Sequence, residues 1–142
     1  MKNEYFIFTN EIPSGKDKFI ARISPFIASD KELFDALHYQ CWFPAWGGKN
    51  WDALSDLLIT FEDIEEQGIY IVHKELPHIG EIGLKIYIRI LYRACLENLP
   101  RKNLYIIFPV DERENVLNIL KEALSDKDNF DVNMENIDAS SS

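Results

Sequence analysis

The hydrophobic and polar positions along the chain predict several β-strands. Runs of strand length that are rich in aromatic and β-branched residues occupy positions 4–9, 18–24, 69–73 and 104–108. Residues 10–17 are rich in turn formers, so the first two strands are predicted to pair as a hairpin. A short run at 130–134 indicates an edge strand.

Four other segments repeat apolar residues every three or four positions, as helices with one buried face do. They cover residues 30–40, 50–61, 82–96 and 112–124. Ser29 or Asp30 is a suitable N-cap for the first helix, and Asn50 is one for the second. Apolar strands separated by helices are typical of a covered sheet. The predicted fold class is therefore α/β, with a small central sheet containing parallel strands flanked by helices.

Length and charge narrow the functional classes. The 142 residues favour a single domain spanning 1–142, with 137–142 as a disordered tail. The net charge of -9 repels phosphate backbones, which argues against direct nucleic-acid binding. The same charge attracts a cationic partner and speeds the encounter with it. Solubility alone also explains such a charge, so charge by itself selects no function.

The remaining composition gives no sign of catalysis or export. Cys41 and Cys95 are too few for a disulfide framework, and no leader or membrane-spanning apolar run is visible, so we expect a cytoplasmic protein with reduced thiols. His38 lies three positions before Cys41, which suggests a nucleophile and its base, but a small buried cysteine is the simpler interpretation. We predict no catalytic residue, no metal and no cofactor.

Two carboxylates on the second helix carry the functional argument. Asp52 and Asp56 are four residues apart and share the face opposite Leu54 and Leu57. Asp52 lies in the first turn, where the helix dipole favours negative charge, so it can serve its own helix. Asp56 lies beyond that region, and like charges at this spacing cost about 0.2–0.5 kcal/mol. Its position therefore indicates a role outside the helix, with a solvated face as the alternative.

The loop before this helix adds an aromatic residue to the same surface. Trp46 is followed by Gly47 and Gly48, and glycine permits the close approach of another backbone. Ser55 and Ile59 are predicted to complete the exposed face of the helix. Carboxylates in a row beside an exposed aromatic favour binding to a cleft lined by arginine and lysine.

The same segment resembles the barstar family of ribonuclease inhibitors. An aromatic-rich loop ends in Gly48, and Asn50, an apolar residue, Asp-Ala-Leu at 52–54 and Asp56 follow at the family's spacing. Pro44 falls where the family has a proline. The order helix, strand, helix, strand after residue 50 also agrees, so that the resemblance covers residues 19–110. It implies a barstar-like fold with an extra N-terminal strand and C-terminal helix.

The resemblance also implies roles for individual residues. Asp56 would enter the nuclease active site and imitate a substrate phosphate, and Asp52 would pair with cationic side chains of the cleft. Trp46 would pack on the enzyme surface. Gly48 would allow close approach, and Asn50 would cap the helix.

Three departures from the family pattern leave the target open. Gly47 stands where a second aromatic is frequent, Lys49 where an acidic residue is frequent, and Ser55 where the family has an aromatic. We predict a monomeric or weakly oligomeric immunity protein that occludes the active site of a basic bacterial ribonuclease toxin. The predicted partner-binding residues are Trp46, Gly47, Gly48, Asn50, Asp52, Ser55, Asp56 and Ile59. The alternative is a barstar-like adaptor that binds a cationic protein other than a nuclease.

Overall fold

The strands and helices predicted within residues 5–61 and 63–125, which the computed structural model describes, all form. The strands are β1 (Phe6–Phe8), β2 (Lys18–Ile23), β3 (Gly68–His73) and β4 (Asn103–Phe108). The helices are α1 (Asp30–Gln40), α2 (Trp51–Leu57), α3 (Gly80–Asn98) and α4 (Arg113–Ser125), with a short 3-10 helix at Val110–Glu112. The predicted α/β class with parallel strands is confirmed. The strand expected at 130–134 and the tail at 137–142 lie outside the described residues.

The strands form one parallel sheet in the order β1-β4-β3-β2. The predicted hairpin between the first two strands is wrong, because β1 pairs with β4 and β2 pairs with β3. Phe6 lies opposite Ile106, and Ala21 lies opposite Ile71. The apolar pattern of a strand identifies its buried face but not its neighbour. Residues 9–17 therefore connect strands on opposite edges of the sheet instead of turning back tightly.

The helices cover one face of the sheet. The connections from β2 to β3 and from β3 to β4 step across the sheet in one direction, so right-handed crossovers put their helices on the same side. Ile71 and Ile106 point into the core beneath them. Val72 and Ile107, which alternate with these residues, are also buried but lie outside the core cluster. The sheet therefore has a second, smaller apolar layer on its opposite face.

Helix α2 ends four residues earlier than the apolar spacing predicts. It stops at Leu57, and the next two backbone carbonyl groups accept hydrogen bonds from side chains that are distant in the sequence. The buried amide of Asn98 donates to the carbonyl of Leu58 over 2.8 Å, and the Arg101 guanidinium donates to the carbonyl of Ile59. These partners lie 40 and 42 positions away, so the end of α2 is decided by tertiary contacts.

Both thiols are free and buried, as expected for Cys41 and Cys95. Among the helices within 5–61 and 63–125, none is long and apolar enough to cross a membrane. In the same part of the chain, no group of three or more histidine, cysteine or acidic residues is arranged to hold a metal ion.

Candidate functional site

The loop between α1 and α2 is fastened to α1 by two polar contacts. Nε2 of His38 donates to the carbonyl of Gly48 over 3.0 Å. The Lys49 ammonium lies 2.7 Å from a carboxylate oxygen of Asp35, whose other oxygen pairs with Lys31. Hydrogen bonds from these two lysines lower the pKa of the Asp35 carboxyl. Lys49 is thus paired within the chain, so the loop presents less positive charge to a partner than its sequence suggests.

The two glycines of the loop have a structural reason within the chain itself. A Cβ atom on Gly48 would come within 2.9 Å of the Ala53 Cβ atom, which is closer than real contacts allow. A Cβ atom on Gly47 would lie 3.1 Å from the Pro44 carbonyl oxygen and 3.2 Å from the methyl groups of Leu57. Small residues are therefore needed for the loop to pack on α2, whether or not a partner approaches them.

The start of α2 is set by its cap and by a buried tryptophan. The side-chain oxygen of Asn50 accepts a hydrogen bond from the Ala53 amide over 2.7 Å, so the predicted cap is confirmed. Trp51 is 1% exposed and packs edge-on against Phe34, with ring centroids 4.9 Å apart. This anchor fixes the rotation of α2, and the side chains opposite it must face solvent.

The two carboxylates of α2 face solvent as the spacing predicts, but the two other residues expected on this face, Ser55 and Ile59, are not exposed. Asp52 and Asp56 are both exposed, and Leu54 is buried beneath them. Ser55, which the spacing predicts to be exposed, is half-buried, so that prediction is wrong. The prediction that Ile59 completes the exposed face is wrong, because Ile59 is half-buried and packs against the core. Its position follows from the end of α2 at Leu57, after which helical spacing no longer applies.

Trp46 and Asp56 both line one open cavity of about 270 Å³. The Trp46 side chain is 85% exposed, the most open of the large apolar residues in the described chain. Asp52 lies one turn nearer the start of α2 and does not line this cavity. The structure therefore brings the predicted tryptophan together with one of the two predicted carboxylates.

The cavity also holds residues that the sequence reasoning missed. Trp42, Thr60 and Asp63 line it together with Trp46 and Asp56. Trp42 adopts a φ of 56°, and its ring, which packs edge-on against Phe19 at 5.7 Å, remains 63% exposed. The aromatic content of the loop is the signal that could have identified Trp42. The sequence gave no comparable sign for Asp63, which follows the end of α2 and lines the same cavity.

Carboxylates beside exposed indole rings recognise cations. Asp56 and Asp63 can each accept charge-assisted hydrogen bonds, and the tryptophan faces attract guanidinium and ammonium groups. Among the described residues, Cys41 and His38 do not form a nucleophile and its base. Cys41 is buried, which raises the pKa of its thiol to about 12 and keeps it protonated at neutral pH. His38 is engaged by the Gly48 carbonyl instead.

Comparison with known families gives a match to part of the chain. The family model described as Barstar (barnase inhibitor) matches residues 20–108, which span β2 to β4 and include the whole loop and α2. Strand β1 and helix α4 lie outside the matched range. Neither the search of curated proteins nor the search of solved structures gives a match.

Proposed function

The chain belongs to the barstar family of barnase inhibitors, and on that premise we propose that it occludes the active site of a basic ribonuclease toxin with α2 and the loop before it. In this proposal the chain is the immunity protein of that toxin. Asp56 enters the cleft in place of a substrate phosphate, and Asp52 pairs with cations at its margin. The inhibitor performs no chemistry of its own.

The observation that carries the proposal is the meeting of Asp56 and an almost fully exposed Trp46 at one open cavity. Exposed tryptophan costs solubility and contributes nothing to a monomer's core, whereas aromatic side chains are enriched among the residues that dominate binding energy. Asp56 gains nothing from the helix dipole at its position. Both features have a physical reason if a cationic surface covers them.

The overall charge supports the same partner. A net charge of -9 accelerates the encounter with a basic enzyme, and this steering weakens as salt is added. A nuclease active site that binds phosphates is lined by cationic side chains, so an acidic helix complements it. Asp63 adds a carboxylate to the cavity and offers a second partner for a guanidinium group.

The test is inhibition of a basic ribonuclease encoded beside this chain by the protein and by D56N. Removing one partner of a buried, hydrogen-bonded charge pair at an interface costs about 2–5 kcal/mol, a range to which the barnase–barstar pair itself contributes. D56N should therefore raise the inhibition constant by about 30- to 5,000-fold. The matched control is D111N, since Asp111 is also exposed but lies on the 3-10 helix outside the cavity.

Three results would count against the proposal. If D56N inhibits as strongly as D111N and the unaltered protein, Asp56 of α2 does not lie in the interface. If the chain binds a cationic protein that is no nuclease, and D56N abolishes this binding, the surface on α2 is still the binding site but the adaptor function is favoured. Loss of inhibition in both variants would indicate that total charge, not the placed carboxylate, drives association.

A further inference from the structure

A second cavity, of about 500 Å³, opens at the carboxyl ends of the strands. Arg22 and Val72 line one wall of it, and residues 9–12 line the facing wall. None of its lining residues belongs to the cavity of Trp46 and Asp56. Its volume lies within the range of small-molecule sites, and the carboxyl edge of a parallel sheet is where α/β folds commonly bind ligands.

The wall formed by the chain after β1 is held in place by hydrogen bonds. The Thr9 amide donates to the Phe108 carbonyl over 3.0 Å, and the Asn10 side chain accepts from the Val110 amide over 3.2 Å. These bonds tie the segment to the end of β4. The cavity is therefore formed before any ligand arrives, which lowers the entropy cost of binding.

Two cations line this cavity, Arg22 on β2 and Lys74 directly after the end of β3. Arg22 pairs in register with Val72, and their side chains point to the sheet face away from the helices. Across residues 5–61 and 63–125, neither the Arg22 guanidinium nor the Lys74 ammonium has a carboxylate within ion-pair distance. In a chain of net charge -9, two cations without such a partner in one cavity are a feature that solubility does not require.

The other lining groups limit the chemical class of ligand that fits the cavity. Glu11 contributes one carboxylate, so the formal charge of the lining is +1 when Arg22 and Lys74 are counted with it. Val72 is buried and gives the cavity an apolar floor, and the exposed Ile12 adds a second apolar side chain to the lining. A single negative charge on an apolar body complements this arrangement, whereas a dianion would meet the Glu11 carboxylate.

We propose that this cavity binds a small organic monocarboxylate, with the carboxylate held by Arg22 and Lys74 and the apolar body on Val72 and Ile12. The Arg22 guanidinium supplies a planar pair of donors, and Lys74 supplies a point charge. This site is independent of the nuclease interface, since it lies among residues that the proposed inhibitory surface does not include.

Benzoate is the probe that tests this site, in an amide NMR titration of the full chain. Benzamide and benzamidinium are its neutral and cationic counterparts of nearly the same shape. We expect saturable shifts with benzoate at the amides of Ser24, Val72 and Lys74, with dissociation constants on the order of millimolar for so small a ligand. R22Q and K74Q should each weaken benzoate binding about tenfold, as loss of a charged hydrogen bond does. The control K121Q removes the same charge from the exposed face of α4 and should leave binding unchanged.

The variants replace exposed side chains, and unchanged amide shifts far from the cavity will show that they fold. Binding of benzamide or benzamidinium as tight as that of benzoate would overturn the proposal, because the cations would then play no part. The same holds if benzoate shifts no amide at this edge of the sheet, or if R22Q and K74Q bind it as tightly as K121Q.

Discussion

Protonation of one buried histidine should make the stability of this protein depend on pH. His73 ends β3 with 2% exposure, stacked on Phe108 at a ring distance of 4.8 Å. Its Nδ1 donates to the Ile107 carbonyl over 3.1 Å, and its Nε2 accepts from the Tyr87 hydroxyl over 2.6 Å. This pattern requires the neutral ring, because a proton on Nε2 would remove the acceptor that the Tyr87 hydroxyl uses.

Burial lowers the pKa of His73 from 6.5 to about 4, although the hydrogen bond to Ile107 works in the opposite direction. The unfolded chain therefore binds a proton at this residue before the folded chain does. The contribution of His73 to the free energy of unfolding is present above pH 6.5. It is lost as the pH drops from 6.5 towards 4, where the ring in the folded protein also becomes charged. A pKa difference of this size corresponds to about 3 kcal/mol in total, of which about 2 kcal/mol is lost between pH 7 and pH 5.

Urea unfolding of the protein, of H73Q and of H78Q at several values of pH measures this loss. Glutamine cannot titrate, so H73Q should lose this part of the pH dependence even if it is less stable at neutral pH. His78 is exposed, and H78Q should keep the slope of the unaltered protein. Taking differences between variants cancels the carboxylates that titrate in the same range. If H73Q and H78Q show the same slope between pH 5 and pH 7, the burial argument for His73 is refuted.

Three further changes test the loop and α2. N50A removes the helix cap and should lower the unfolding free energy by about 1 kcal/mol, while N50D, which can still accept from the Ala53 amide, should lose far less in the same urea titration. G48A should cost about 1–3 kcal/mol through its clash with Ala53, but much less when it is introduced into A53G, where the clashing methyl group is absent; an equal cost in both backgrounds would place the strain elsewhere. W46A should leave stability within about 0.5 kcal/mol, because the side chain is 85% exposed, yet weaken inhibition of the ribonuclease; a large loss of stability would show that Trp46 is a core residue.

Helical features could be predicted because their causes are local. Ser29 caps α1 and Asn50 caps α2 through bonds to amides three residues ahead, a distance that sequence spacing sets directly. The same holds for the exposure of Asp52 and Asp56, since helical geometry places them opposite the buried Leu54. The sequence by itself therefore determined the start of α2, its buried face and its two outward carboxylates.

Pairing of the strands and assembly of the cavities depended on contacts between distant residues. The period of an apolar strand does not name its neighbour, so the placement of β1 beside β4 required the folded sheet. The end of α2 is set by Asn98 and Arg101, more than 35 positions later, and this end takes Ile59 into the core and brings Asp63 to Trp46. Only the tertiary structure decided which residues share a site, because contacts between residues far apart in the chain produce no regular pattern in the sequence.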